Sequence, residues 1–193
     1  DEFWGTSADR LKWYKKWDSV SDVDYKKADI KWFLNGKLNV SYNCLDRHVE
    51  EGNGNKTAII WEGNDPAEDK KYSYSELLIE VKKFANVLKS NGVIKGDRVC
   101  LYMQMIPELA IAMLACCRIG AVHSVVFGAF SADSLRDRIN DSSCKILITQ
   151  DTGVRGTKDN IPMKANADKA LLETPSISSV LVVNRTGVDV CLL

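Results

Sequence analysis

GDRVCLYMQMIPELAIAMLACCRIGAVHSVVFGAFSADSLRDRI, residues 96–139, reads as strand, helix, strand, helix. Val99–Met103 is a short apolar run without alternation, the mark of a strand covered on both faces. Pro107 stands where a first helical turn tolerates proline, and Gly120 stands where a helix ends. The residues between them are apolar nearly all round, so this helix must be buried on most sides. Val122–Phe127 repeats the strand pattern, and Ser131 is placed to cap the next helix. Strand and helix alternating at this spacing predict right-handed crossovers and a doubly wound, mostly parallel α/β layer.

The same pattern extends in both directions. Upstream, Ser73 followed three residues later by Glu76 is a capping signal. Leu77, Leu78, Val81, Phe84, Ala85 and Leu88 then recur at helical steps up to Gly92. Before that helix, TAIIWE (57–62) reads as a strand and GNDPAEDK (63–70) as a polar turn. Downstream, Ile146–Thr149 and Val180–Val183 are short β-rich runs that, with Val122–Phe127, are expected to be central parallel strands. Residues 1–56 differ, holding four of the five tryptophans and short helical pieces expected at Ser7–Trp17 and Ser41–Glu50. Trp13, Trp17, Trp32 and Phe33 are expected to fill a docking interface rather than to stack bases. The chain thus divides into a helical, Trp-rich extension, 1–56, and an α/β unit, 57–193.

Composition narrows the function. At 193 residues and 45% hydrophobic, the chain can bury one sizeable core. Lys+Arg and Asp+Glu are balanced at 26 each, so no overall field draws nucleic acid or an anionic membrane. The longest apolar run, Leu109–Cys117, falls far short of the roughly 20 residues that span a bilayer. The acidic start, with Asp1, Glu2 and Asp9, does not read as a targeting peptide. Six cysteines without a C-x-x-C pair are expected to be free thiols of a reducing cytosol, with the nucleus open to a eukaryotic version.

No phosphate-binding P-loop, dinucleotide fingerprint, nucleophile elbow or zinc-protease motif occurs. GNGNK (52–56) is expected to be a surface turn, and His48 and His123 to be structural, leaving no catalytic residue and no metal site in this stretch. Two loops can hold a ligand, because open α/β sheets bind beyond the carboxyl ends of their strands. In VVFGAFSAD (125–133), Gly128 and Ala129 permit close backbone approach, Phe127 and Phe130 can flank a planar ring, and the helix start offers N–H groups to an anion. A tight strand-to-helix turn is the alternative. In QDTGVRGTKDN (150–160), Arg155 and Lys158 on a glycine-bearing loop suit charge-assisted contacts to a phosphate; a solvated loop is the alternative. Following successive strands, the two loops are expected to face one ligand of nucleotide type.

FWGTSADRLKWYKKW, WFLNGKLNVSYNCLDRHV, YSYSELLIEVKKFANVLKSNGVIKGDRVCLYM, MIPELAIAMLACCRIGAVHSVVFGAFSADSLRDRI and DTGVRGTKDNIPMKANADKAL resemble the acetyl-CoA synthetases, a family of adenylate-forming enzymes. The resemblance runs nearly end to end and implies the N-terminal part of such an enzyme's large domain. It implies that acetate and Mg-ATP give acetyl-adenylate and pyrophosphate, and that the CoA thiol then releases acetyl-CoA and AMP. ATP, CoA and Mg²⁺ would serve the parent enzyme, with acetate as the acyl substrate and the rest of the parent chain as partner. Phe127, Gly128, Ala129 and the turn Arg155, Gly156, Thr157 and Lys158 would meet the nucleotide end of CoA. Two departures matter: the family often has a second glycine at Ala129, and Gly-Gly before Arg or Lys where Thr157 and Lys158 stand. Lysine keeps the charge but loses the bidentate fork. The family's ATP-phosphate loop, acyl pocket and C-terminal domain are expected beyond Leu193, and VNRTGVDVCLL is expected to leave the family pattern. These residues alone are therefore expected to be inactive. A propionyl-CoA synthetase fragment and a non-catalytic α/β binding module are the other readings.

Overall fold

The structure, a computed structural model, describes residues 1–191. The first helix, α1, is Glu2–Ala8, not the expected Ser7–Trp17. It stops there because the Lys12 N–H, which a continuing helix would give to the Ala8 carbonyl, donates to the Asn43 side chain at 2.8 Å, while that carbonyl accepts from the Trp13 indole N–H at 2.8 Å. A hairpin comes next: β1 (Ser19–Asp24) pairs antiparallel with β2 (Asp29–Leu34), with Val23 opposite Ile30. Trp13, Trp17 and Phe33 pack on one another, with ring centroids 4.9 to 5.6 Å apart. They form a small core of the extension itself, where a docking interface was expected. Docking falls instead to the helical turns over 40–53, wound partly as π-helix. The expected helix at Ser41–Glu50 lies inside them.

The α/β unit begins with a second hairpin, β3 (Thr57–Trp61) and β4 (Lys70–Ser73), and runs into α2 (Tyr74–Ser90). The capping box is present: the Ser73 hydroxyl accepts from the Glu76 N–H, and the Glu76 carboxylate accepts from the Ser73 N–H at 2.8 Å. β5 (Arg98–Met103), α3 (Pro107–Ile119), β6 (Val122–Phe127), α4 (Ala132–Ser142) and β7 (Ile146–Gln150) follow. A third hairpin, β8 (Gly153–Arg155) and β9 (Lys158–Ile161), interrupts the alternation. Then come α5 (Met163–Leu171) and β10 (Ser179–Val183).

The parallel sheet has the order β10-β7-β5-β6. Among the described residues only β5 and β7 are central; β6 and β10, expected to be central, lie at the edges. The apolar runs of β5 and β7 lack alternation because both faces are covered. Val99, Leu101, Met103, Ile146 and Ile148 join the core under α2 and α3, whereas Cys100, Tyr102 and Leu147 join Leu135, Ile139 and Met163 under α4 and α5. Each such side chain contributes about 1.5–3 kcal/mol on full burial, so the two-faced pattern dominates the stability of the unit. No described helix is long and apolar enough to cross a membrane.

Candidate functional site

The chain order around the sheet places the site. From β5 the chain steps to β6 on one side, then returns across β5 to β7 on the other. Loops leaving β5 and β7 therefore diverge, and a crevice opens between their carboxyl ends, the usual binding position in open α/β sheets. A cleft of about 470 Å³ lies there, walled by Gln104, Met105 and Ile106 after β5, Phe127, Gly128 and Ala129 at the carboxyl end of β6, and Val154 and Arg155 of the β8–β9 hairpin. Its size is that of a small-molecule site.

Both expected loops reach this cleft, although their strands are not neighbours. The first is held from beneath: the Tyr102 hydroxyl, buried in the lower core, donates to the Phe130 carbonyl at 2.8 Å. Gly128 is closely packed: a Cβ there would stand 3.2 Å from the Met103 carbonyl oxygen and 3.1 Å from the Met163 methyl, so those neighbours would have to give by a few tenths of an ångström. Phe127 lines the cleft and is 57% exposed. Phe130 does not share the expected role. Its ring meets Phe127 edge to face at 6.1 Å, and the Arg138 guanidinium covers one face at 4.5 Å. The two phenyl rings are perpendicular and cannot clamp a planar ring between them.

The second loop is the β8–β9 hairpin. Arg155 lines the cleft and pairs across the hairpin with Lys158. Gly156 is the first residue of the two-residue turn, with φ of +59°, a conformation that suits glycine and a hairpin turn. Of the seven candidate residues, Phe127, Gly128, Ala129 and Arg155 wall the cleft; Gly156, Thr157 and Lys158 are exposed and do not line it. Arg155 and Lys158 form no ion pair among the described residues, so both charges stay available to an anion.

Several residues of the site were not read from the sequence. Gln104 and Gln150 end the two central strands; the Gln150 side chain accepts from the Gln104 N–H at 2.8 Å and donates to the Thr152 carbonyl at 2.8 Å. The Gln104 side chain in turn accepts from the Val154 N–H at 3.1 Å and sets the start of the hairpin. Two apolar strands each closing on glutamine, RVCLYMQ and ILITQ, were the available signal. Trp61 and Arg185 form the opposite wall: the guanidinium lies 5.2 Å from the indole centroid and pairs with Glu68 at 2.6 Å.

Asp151 anchors the turn after β10. Its carboxylate is 2% exposed and accepts from the N–H groups of Thr152 (2.7 Å), Arg185 (3.0 Å), Thr186 (2.9 Å) and Gly187 (3.0 Å). Burial pushes this carboxyl up, but the donors outweigh it and hold the group below the usual carboxylate range. The segment after Val183, expected to leave the family pattern, is thus laced into the site. Among the described residues no cluster of three or more His, Cys, Asp or Glu side chains is arranged to hold a metal. His48 stacks on Tyr74 at 4.7 Å, and burial holds the His123 imidazole below its ordinary value.

Comparison with known proteins identifies the family. Residues 45–190 match the family model of the AMP-binding enzymes, so the family pattern runs on to residue 190 where it was expected to end at the segment after Val183, and residues 1–44 match the model of the acetyl-coenzyme A synthetase N-terminus. The acetyl-coenzyme A synthetase of Rubrobacter xylanophilus is 60% identical over 97% of this chain, and that of Magnetococcus marinus 56% identical over 97%. Acetyl-coenzyme A synthetase 2 of Pseudomonas putida is 56% identical over 98% of the chain. The chain spans 29% of the length of each of these curated relatives.

Proposed function

The chain belongs to the AMP-binding enzymes, and from that premise we propose that it is the N-terminal part of an AMP-forming acetate–CoA ligase, where it binds the nucleotide end of CoA. The parent enzyme would couple acetate to ATP as acetyl-adenylate with release of pyrophosphate, and then pass the acetyl group to the CoA thiol with release of AMP. ATP and Mg²⁺ would be held by residues outside this chain. The names of relatives that match it at 53–60% identity support this assignment.

One observation carries the role of this chain: the loop Phe127–Ala129 and Arg155 wall a single cleft at the switch point of the sheet. Gly128 and Ala129 form part of the cleft wall, the exposed Phe127 ring offers an apolar face to a base, and Arg155 and the exposed Lys158 offer positive charge to a phosphate. Gly156 and Thr157 would present these two cations together. The buried free thiols Cys100, Cys116 and Cys144 support a cytosolic setting.

Titration of the chain with CoA, dephospho-CoA and ATP, followed by heat or by tryptophan fluorescence, tests the proposal. CoA is expected to bind, dephospho-CoA to bind about tenfold more weakly, Arg155→Ala to abolish that difference, and ATP to give no comparable response. Equal affinity for CoA and dephospho-CoA would overturn the site assignment.

A further inference from the structure

The turn between β3 and β4 reaches over the cleft and grips the hairpin that carries Arg155. The Asn64 side-chain amide makes two hydrogen bonds to one residue: its oxygen accepts from the Gly156 N–H at 2.6 Å, and its nitrogen donates to the Gly156 carbonyl at 2.8 Å. The two residues are 92 apart in sequence. Asn64, Arg155 and Arg185 all line the cleft.

The grip matters because, among the described residues, the hairpin is otherwise held only at its base, by Gln104 on Val154 and by Ile161 packed on the core under α4 and α5. β8 and β9 make an isolated two-stranded sheet with an irregular register between Gly153 and Arg155. Such a hairpin is marginal in water unless something packs on it. Gln104 fixes its base through Val154, and Asn64 fixes its tip. The turn bearing Asn64 is itself secured. Asp65 accepts from the Ala67 N–H at 2.9 Å, Glu68 pairs with Arg185 at 2.6 Å, and the Trp61 indole N–H donates to the Met105 carbonyl at 2.7 Å. These ties hold the turn at both ends.

We propose that Asn64 is a positioning residue for anion recognition: by saturating both backbone polar groups of Gly156 it holds the Arg155–Lys158 turn in the conformation that presents its two cations to a phosphate. The inference rests on the CoA reading given under Proposed function and adds to it the element that sets the geometry of the phosphate contact. A group held in place before binding need not be ordered by the ligand, so loss of the grip lowers affinity without removing a ligand contact.

The test combines amide hydrogen exchange over residues 153–161 with the affinity ratio for CoA over dephospho-CoA, in the wild type, Asn64→Ala, Asn64→Asp, Arg155→Ala and the Asn64→Ala/Arg155→Ala pair. Asn64→Ala is expected to speed exchange in the hairpin and to cut the affinity ratio about tenfold, with the urea midpoint of the whole chain little changed. Asn64→Asp keeps the acceptor for the Gly156 N–H and is expected to lose less. In the double variant the ratio should be no lower than in Arg155→Ala alone, because both substitutions remove one recognition event. Unchanged exchange, or a full affinity ratio, in Asn64→Ala overturns the proposal. A wild type indifferent to the phosphate overturns the CoA reading instead, and hairpin exchange then decides by itself whether Asn64 holds the turn.

Discussion

Asp151 concentrates more backbone hydrogen bonding than any other side chain of the site, with four N–H donors converging on its carboxylate. Replacing it by Asn removes the charge and puts an amide N–H₂ against donors, an expected cost of about 2–3 kcal/mol in urea unfolding at neutral pH. The sign of the pH dependence comes from its depressed folded-state pKa. Its stabilisation is fully present above the unfolded value of about 3.9 and is lost as pH falls through the lower folded value. The difference in unfolding free energy between wild type and Asp151→Asn should therefore shrink below about pH 4; a constant difference across that range would rule this account out. Asp151 was visible in the sequence as the residue after a strand. Its role was not, because three of its four partners lie 34 to 36 residues later and only the pairing of β7 with β10 brings them back.

At the scale of elements, α2 was legible from cap to end, because everything that starts it lies within four residues. Ser73→Ala removes an acceptor that no neighbour replaces, and should cost about 1 kcal/mol, read as a lowered urea midpoint with CoA affinity unchanged. The helix expected over Ser7–Trp17 failed for the converse reason. Trp13 and Trp17, four residues apart, have the spacing of a helix face, yet the aromatic rings gain more by packing on Phe33 of the hairpin than by lining a helix. The β8–β9 hairpin escaped notice because RGTK reads equally well as an open loop. What makes it a hairpin is the hold of Gln104 and Asn64, and both lie far away in sequence.

For the whole molecule, the segment around Asn39 and Asp46 is joined to the carboxyl end of α3. Arg118 makes a bidentate pair with Asp46 at 2.7 and 2.9 Å, and the Asn39 amide donates to the Cys117 carbonyl at 2.8 Å. Both charged side chains are largely covered, at 26% and 11% exposure, and the Asp46 bond raises the Arg118 pKa above its ordinary value. Arg118→Ala leaves Asp46 largely covered without its partner and should cost on the order of 2 kcal/mol. The loss should appear as faster amide exchange and proteolysis in residues 1–53, with α2 and β5 protected as before. Equal loosening of both parts would mean that they unfold as one unit.

From the sequence alone came the doubly wound class, the capped helices, the apolar strands and the two loops that meet at the cleft. Each rests on short-range patterning: burial on both faces erases alternation, and caps and turns act within a few residues. The tertiary structure alone decided which strands are central, that Phe130 packs against Phe127 instead of opposing it, that Asp151 ties down the turn after β10, and that Asn64 grips Gly156. The strand order, the Asp151 turn and the Asn64 grip depend on contacts between segments tens of residues apart, which exist only in the folded chain, whereas Phe130 is set by the near neighbours Phe127 and Arg138, whose ring and guanidinium directions the sequence pattern does not carry.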